Sequence, residues 1–123
     1  MDLSLDRPGD YLFVRRVTAS AITVVDRELT ASFLLAPERA VQNWPVTSAL
    51  ALDENHVESI LALKPELVLL GTGVRQQFPA AAFMAGFLRR GIGIEVMDNA
   101  AAARTYDLLA AEGRRVVVAF ILP

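Results

Sequence analysis

Glu66-Leu67-Val68-Leu69-Leu70-Gly71-Thr72-Gly73 is an apolar run closed by a glycine turn, and its reading decides the fold. Glu66 to Leu70 reads as a buried strand, because it is short, apolar and bounded by Pro65 on one side and the glycines on the other. A loop through Gln77 then leads to a helix opened by Pro79 and carrying Phe83, Met84, Phe87 and Leu88 at helical spacing. Gly91 and Gly93 stop it. Ile94 to Met97 is a short strand, and Asp98 is the N-cap of a long helix, roughly 99 to 112, that ends at Gly113. Arg115 to Leu122 is the last strand. Strand–helix–strand–helix–strand order favours mainly parallel pairing through right-handed crossovers.

Upstream, three β-rich runs, Tyr11 to Val17, Ser20 to Asp26 and Leu29 to Leu35, are separated by only Thr18-Ala19 and Arg27-Glu28. Gaps this short predict an antiparallel meander. Ala36-Pro37-Glu38 breaks the pattern, and a loop carrying Trp44-Pro45 runs to Leu52. Asp53 caps a helix with Val57, Ile60 and Leu61 on its inner face, closed by Pro65. The fold class is therefore α/β, an N-terminal antiparallel β-meander joined to a βαβαβ unit. No repeat, low-complexity tract or linker divides the chain, so a single domain over 1–123 is expected.

The 123 residues are 54% hydrophobic, with a net charge of -2, a mean hydropathy of +0.39 and a pI near 5.3. This excludes a disordered chain and leaves no basic block to favour nucleic acid. With no cysteine and one histidine, there is no disulfide framework, thiolate metal site, multi-histidine metal site or cysteine nucleophile. Met1 to Pro8 lacks the basic start and apolar run of a secretory signal, and the longest apolar run, Val116 to Leu122, is far shorter than the twenty or so residues of a membrane span. A cytoplasmic location is expected.

Gly71-Thr72-Gly73 follows a strand, where backbone amides can cradle a phosphate, and Asp98 stands where a ribose-binding acid would sit. Against a dinucleotide site, the third glycine position is Gln76 and the helix begins only near Pro79, away from the loop. A plain tight turn is the competing reading. Glu95, inside an apolar strand expected to be covered on both faces, would act as a base if buried unpaired, or be structural if paired with Arg75, Arg104 or a backbone donor. His56, between Glu54 and Glu58, reads as solvated, and no Gly-x-Ser-x-Gly occurs. On the last helix, Ala101, Thr105, Leu108 and Leu109 form the expected inward stripe, with Tyr106 at its border and Arg104 able to pair with Asp107. Arg104 and Tyr106 matter for function if they reach the crevice outside the strand ends at Gly73 and Asp98. Trp44 is either an exposed anchor for a partner or a cover over one edge of the core.

The strings Leu70 to Gly73 and Glu95 to Val116 resemble a small family of unknown molecular function, found in bacteria and archaea, that includes the mitochondrial complex I (NADH dehydrogenase) assembly factor 3. The resemblance runs from the meander through Trp44 to the final strand and is most specific over Glu95 to Arg114. Asn99, where threonine is usual, and Asp107, where asparagine is usual, depart from the family pattern. What the resemblance implies is a three-layer α/β fold with a mixed central sheet, no established enzyme activity, no cofactor, and, for the mitochondrial members, a role in assembling the respiratory enzyme at the inner membrane.

The first functional expectation is a non-enzymatic interaction or assembly protein, with respiratory-complex subunits as partners by resemblance. Its surface would be Trp44 together with a crevice of Gly71, Thr72, Gly73, Asp98 and Arg104. The alternative is a small anionic-ligand-binding protein or enzyme using Glu95, Arg104 and Tyr106 around the glycine loop. Homo-oligomerisation through the exposed meander edge is a third expectation.

Overall fold

The computed structural model describes residues 2–4 and 10–123; the reading of Met1 to Pro8 falls mostly outside them. Among these residues nine strands and three α-helices follow in the order β1 (Asp2–Ser4), β2 (Val14–Val17), β3 (Ile22–Val24), β4 (Arg27–Leu29), β5 (Phe33–Ala36), β6 (Arg39–Val41), α1 (Val57–Leu61), β7 (Leu67–Gly71), α2 (Ala81–Leu88), β8 (Gly93–Met97), α3 (Asn99–Ala111) and β9 (Val116–Phe120).

The strands form a six-stranded mixed sheet in the order β1-β6-β5-β9-β7-β8 and a three-stranded antiparallel sheet β2-β3-β4. β7 runs parallel to both β8 and β9, as the strand–helix alternation requires, and β5 closes against β9 antiparallel. One face of the large sheet packs against α3 and the small sheet, through Phe33, Leu69, Val118 and Phe120 from the sheet and Val14, Ile22, Ala102 and Tyr106 from above. The other face is covered by α1, α2 and the loop from Trp44 to Leu52, with Val68, Leu70, Val117 and Ala119 meeting Ile60, Phe83 and Phe87. These are the three layers.

The expected third run, Leu29 to Leu35, splits. Leu29 ends the small sheet, and Phe33-Leu34-Leu35-Ala36, buried at every position, joins the large sheet, because an apolar run without alternation has to be covered on both faces. Pro37-Glu38 is the turn of a hairpin rather than a break, with Ala36 opposite Arg39. The three residues of β6 are too few to show a period. The β3–β4 turn falls at Val25-Asp26, Val24 facing Arg27, with Val25 at φ 57°; no side-chain signal marks a valine for a left-handed turn.

The helix starts follow local chemistry. The Asp53 carboxylate accepts from Asn55 N at 2.9 Å while His56 Nδ1 accepts from Asp53 N at 3.1 Å, a capping box that launches a 3-10 turn (Glu54–His56) running into α1. Asp98 accepts from Ala101 N at 2.8 Å at the start of α3, and Gly113, at φ 80°, follows its end. The inward face of α3 is not the expected stripe. Ala102, Ala103, Tyr106 and Ala110 are buried whereas Leu108 is 61% exposed, since the alanines bring the helix close enough to the sheet to enclose the tyrosine ring.

Candidate functional site

Gly71, Thr72 and Gly73 lie at the carboxyl end of β7, and they are held there by α3. Asn99 Oδ1 accepts from Gly73 N at 3.1 Å, and Asn99 N donates to Gly73 O at 2.8 Å. Asn99 Nδ2 donates to Ile121 O at 2.9 Å, and Ile121 N donates to Gly71 O at 2.9 Å. One buried amide thus joins the ends of β7 and β9 to the first turn of α3. Thr72 closes the loop. Its hydroxyl donates to Arg75 O at 2.6 Å and accepts from Gln77 N at 3.0 Å.

Two groups that a phosphate cradle would use are taken up inside the fold. The Gly73 amide is engaged by Asn99, and the Asp98 carboxylate is engaged by its own helix. The tight-turn reading describes the loop as it stands.

Around the loop opens a crevice of about 460 Å³, lined by Ala19, Thr47, Thr72, Gly73, Val74, Arg75, Gln76, Gln77, Ile121 and Pro123. A second hollow of about 260 Å³, sharing Ala19, Gly73 and Val74, continues past Asp98 and Ala100. Val74 is 71% exposed and Phe78, just beyond the lining Gln77, is 63% exposed. The loop on this rim therefore exposes two large apolar side chains, with Arg75, Gln76 and Gln77 between them.

Other candidates go elsewhere. Glu95 is exposed rather than buried, because β8 is the outermost strand of the sheet and not a central one. Trp44 is only 6% exposed; its indole N–H donates to Ser59 Oγ at 3.3 Å and its ring meets that of His56 edge-on at 6.1 Å. It covers the core and is not a surface anchor. His56, expected to be solvated, is half-buried beneath it. Tyr106 is fully buried, its hydroxyl donating to Leu12 O at 2.7 Å, and burial, reinforced by the Asp107 carboxylate, pushes its pKa far above the usual phenol value. Arg104 is exposed on the outer side of α3, in a shallow groove with Arg15, Arg16 and Asp107 rather than in the crevice. The constellation of Glu95, Arg104 and Tyr106 around the glycine loop is not assembled.

Residues 14–121 match the family described as protein of unknown function (DUF498/DUF598). The chain belongs to that family. A Xanthomonas campestris protein solved by NMR has 46% sequence identity with a TM-score of 0.85, covering 98% of this chain and 91% of that one. Human NADH dehydrogenase (ubiquinone) 1 alpha subcomplex assembly factor 3 is 34% identical over 91 residues, 72% of this chain and 49% of its own. A Francisella tularensis protein called 13 kDa major membrane protein is 33% identical over 66 residues, 54% of either chain. The DUF498/DUF598 chain spans about half the length of these two relatives.

Within this DUF498/DUF598 chain, sequence reasoning found Gly71, Thr72, Gly73 and Asp98, which do come together. It missed Asn99, which ties them to β9, and it missed the rim. The available signal was Val74 and Phe78 themselves, two large apolar residues in a loop that is otherwise polar between Gly73 and Pro79.

Proposed function

We propose that this chain is a non-enzymatic docking protein of the assembly-factor kind, which holds a protein partner at the crevice beside the glycine loop. The observation that carries this reading is the composition of that surface: an open hollow with exposed Val74 in its lining and exposed Phe78 next in the chain to it, Arg75 and two amide side chains between them, and the Thr72 hydroxyl locked into the loop. Exposed apolar rims of this sort mark interaction sites, and among the described lining residues there is no acid–base pair to run a reaction. The likeness to proteins called NADH dehydrogenase assembly factors makes respiratory-complex subunits the partners of choice.

The location that fits is cytoplasmic, peripheral to the inner membrane. Among the described residues no helix is long and apolar enough to cross a membrane, while one relative is called a membrane protein. The test is capture by the tagged chain of purified hydrophilic subunits of the host NADH dehydrogenase, compared with Val74→Ser and Phe78→Ser. The expected result is loss of capture with the fold intact; unchanged capture by both variants refutes the reading.

A further inference from the structure

Among the described residues β8 pairs with β7 on one side only and forms the outer edge of the large sheet. In its parallel register, Gly93, Glu95 and Met97 turn their backbone groups toward β7; the Thr72 N–H reaching Met97 O at 3.0 Å shows the direction. Ile94 and Val96 therefore turn theirs outward. One of these outward groups has a substitute partner: Gln76 Nε2 donates to Val96 O at 2.8 Å. A side-chain amide from the crevice loop thus stands where a neighbouring strand would donate.

We infer that an extended segment of the docked partner adds to β8 as a further strand, displacing the Gln76 amide, with a basic side chain beside Glu95. The inference rests on the docking reading above and names its binding mode. Gln76 lines the crevice and touches the edge, so one partner segment runs continuously from the apolar rim onto β8. Unpaired strand edges take such segments through main-chain hydrogen bonds, with alternate side chains setting specificity.

The two faces of β8 define those side chains. Ile94 and Val96 pack on the α2 side with Phe83 and Phe87, so apolar residues of the incoming strand belong there. Glu95, on the opposite face and exposed, selects a cation. It also selects against a second copy. Glu95 is the central residue of β8, so two-fold pairing of β8 with itself in fullest overlap would set Glu95 against Glu95, like charges directly opposed.

The test uses 15N-labelled full chain and two capped heptapeptides, one alternating valine with lysine and one alternating valine with glutamate. The expected result is slowed hydrogen exchange at the Ile94 and Val96 amides with the lysine peptide, and a preference for it of roughly fivefold. Glu95→Lys reverses that preference, and Gln76→Ala tightens binding. Ile94→Pro, which deletes an outward N–H that the β7 ladder does not use, abolishes it. Peptide effects confined to other amides, or equal binding of both peptides by wild type and Glu95→Lys, overturn the inference. If subunit capture depends on Phe78 yet ignores Glu95→Lys and Ile94→Pro, the added strand is refuted while the crevice reading stands.

Discussion

A methyl group added to Gly71 would meet the side-chain oxygen of Asn99 well inside contact distance, with Phe120 Cδ1 at 3.1 Å and Ala102 Cβ at 3.3 Å close behind. The glycine is what allows α3 to bring Asn99 across the strand ends. Gly71→Ala is expected to cost about 1–3 kcal/mol through overpacking. Asn99→Ala strands the Gly73 N–H and the Ile121 carbonyl, at a cost of about 1–3 kcal/mol for each buried group left unpaired. Because Asn99→Ala also removes the clashing oxygen, the double variant should lose less than the sum of the two. Urea denaturation of the four proteins measures the coupling.

The same junction shows where sequence was informative. Asp98 and Gly113 bound α3 because caps are local chemistry, and the βαβαβ order is legible because each apolar run is short and separately punctuated. Which strand lies at the edge is not local. Glu95 stands in an apolar run that resembles a central strand, and only the order β9-β7-β8 exposes it. Tyr106 was misplaced for a related reason: Leu108 and Leu109 offered a competing stripe, and how closely an alanine face approaches a sheet is decided by the facing residues. Of the candidate site, the glycine loop carried a motif, whereas an apolar rim is defined by exposure, which no spacing encodes.

Tyr106 gives a pH-dependent prediction. The Tyr106→Phe variant leaves the Leu12 carbonyl without its donor, and about 1 kcal/mol of stability should be lost at neutral pH. Burial holds the phenol neutral in the folded protein, while in the unfolded chain it ionises near pH 10. The folded pKa is raised, so the wild-type advantage is fully present below about pH 10 and declines as pH rises above it. Denaturation midpoints for wild type and Tyr106→Phe should therefore converge in alkali.

Asp107 accepts from Val14 N at 2.8 Å, and burial raises its pKa, partly opposed by that hydrogen bond. An asparagine, the residue usual there in the family resemblance, offers the same acceptor without a charge to desolvate. Asp107→Asn should be within about 0.5 kcal/mol of wild type at pH 7 or slightly more stable. A raised carboxyl pKa favours the protonated folded state, so wild type gains on the variant as pH falls through the folded pKa toward the unfolded value near about 4. Asp107→Ala, lacking an acceptor for Val14, should lose about 1 kcal/mol at either pH. Thermal melts from acid to neutral pH check all three.

Arg115 joins three segments. Its guanidinium meets Glu38 Oε1 at 2.5 Å on the β5–β6 turn, and it donates to the Leu63 carbonyl and, at 3.2 Å, to Lys64 O beyond α1. Arg115→Met should cost about 1–2 kcal/mol, mostly through the two carbonyls. Glu38→Gln should cost under about 0.5 kcal/mol, because exposed ion pairs contribute little. The guanidinium holds the Glu38 carboxyl below its usual pKa. That small contribution is present above the unfolded value near about 4.3 and is lost as pH falls through the lower folded value. The acid side of the stability profile should flatten in Arg115→Met, and be unaffected by Arg104→Ala.

Trp44 and Phe78 should separate folding from docking. The Trp44 indole is enclosed and hydrogen-bonded to Ser59, so Trp44→Ala opens a cavity and is expected to cost about 3–5 kcal/mol. Phe78 is largely in solvent, and Phe78→Ser should change stability by no more than about 0.5 kcal/mol. Calorimetry and subunit capture run side by side on the two variants give opposite signatures. Trp44→Ala should lose capture only at temperatures where its lowered melting transition has begun, whereas Phe78→Ser should lose capture with an unshifted Tm. Retained capture by Phe78→Ser at full stability would place the partner on a different surface of the molecule.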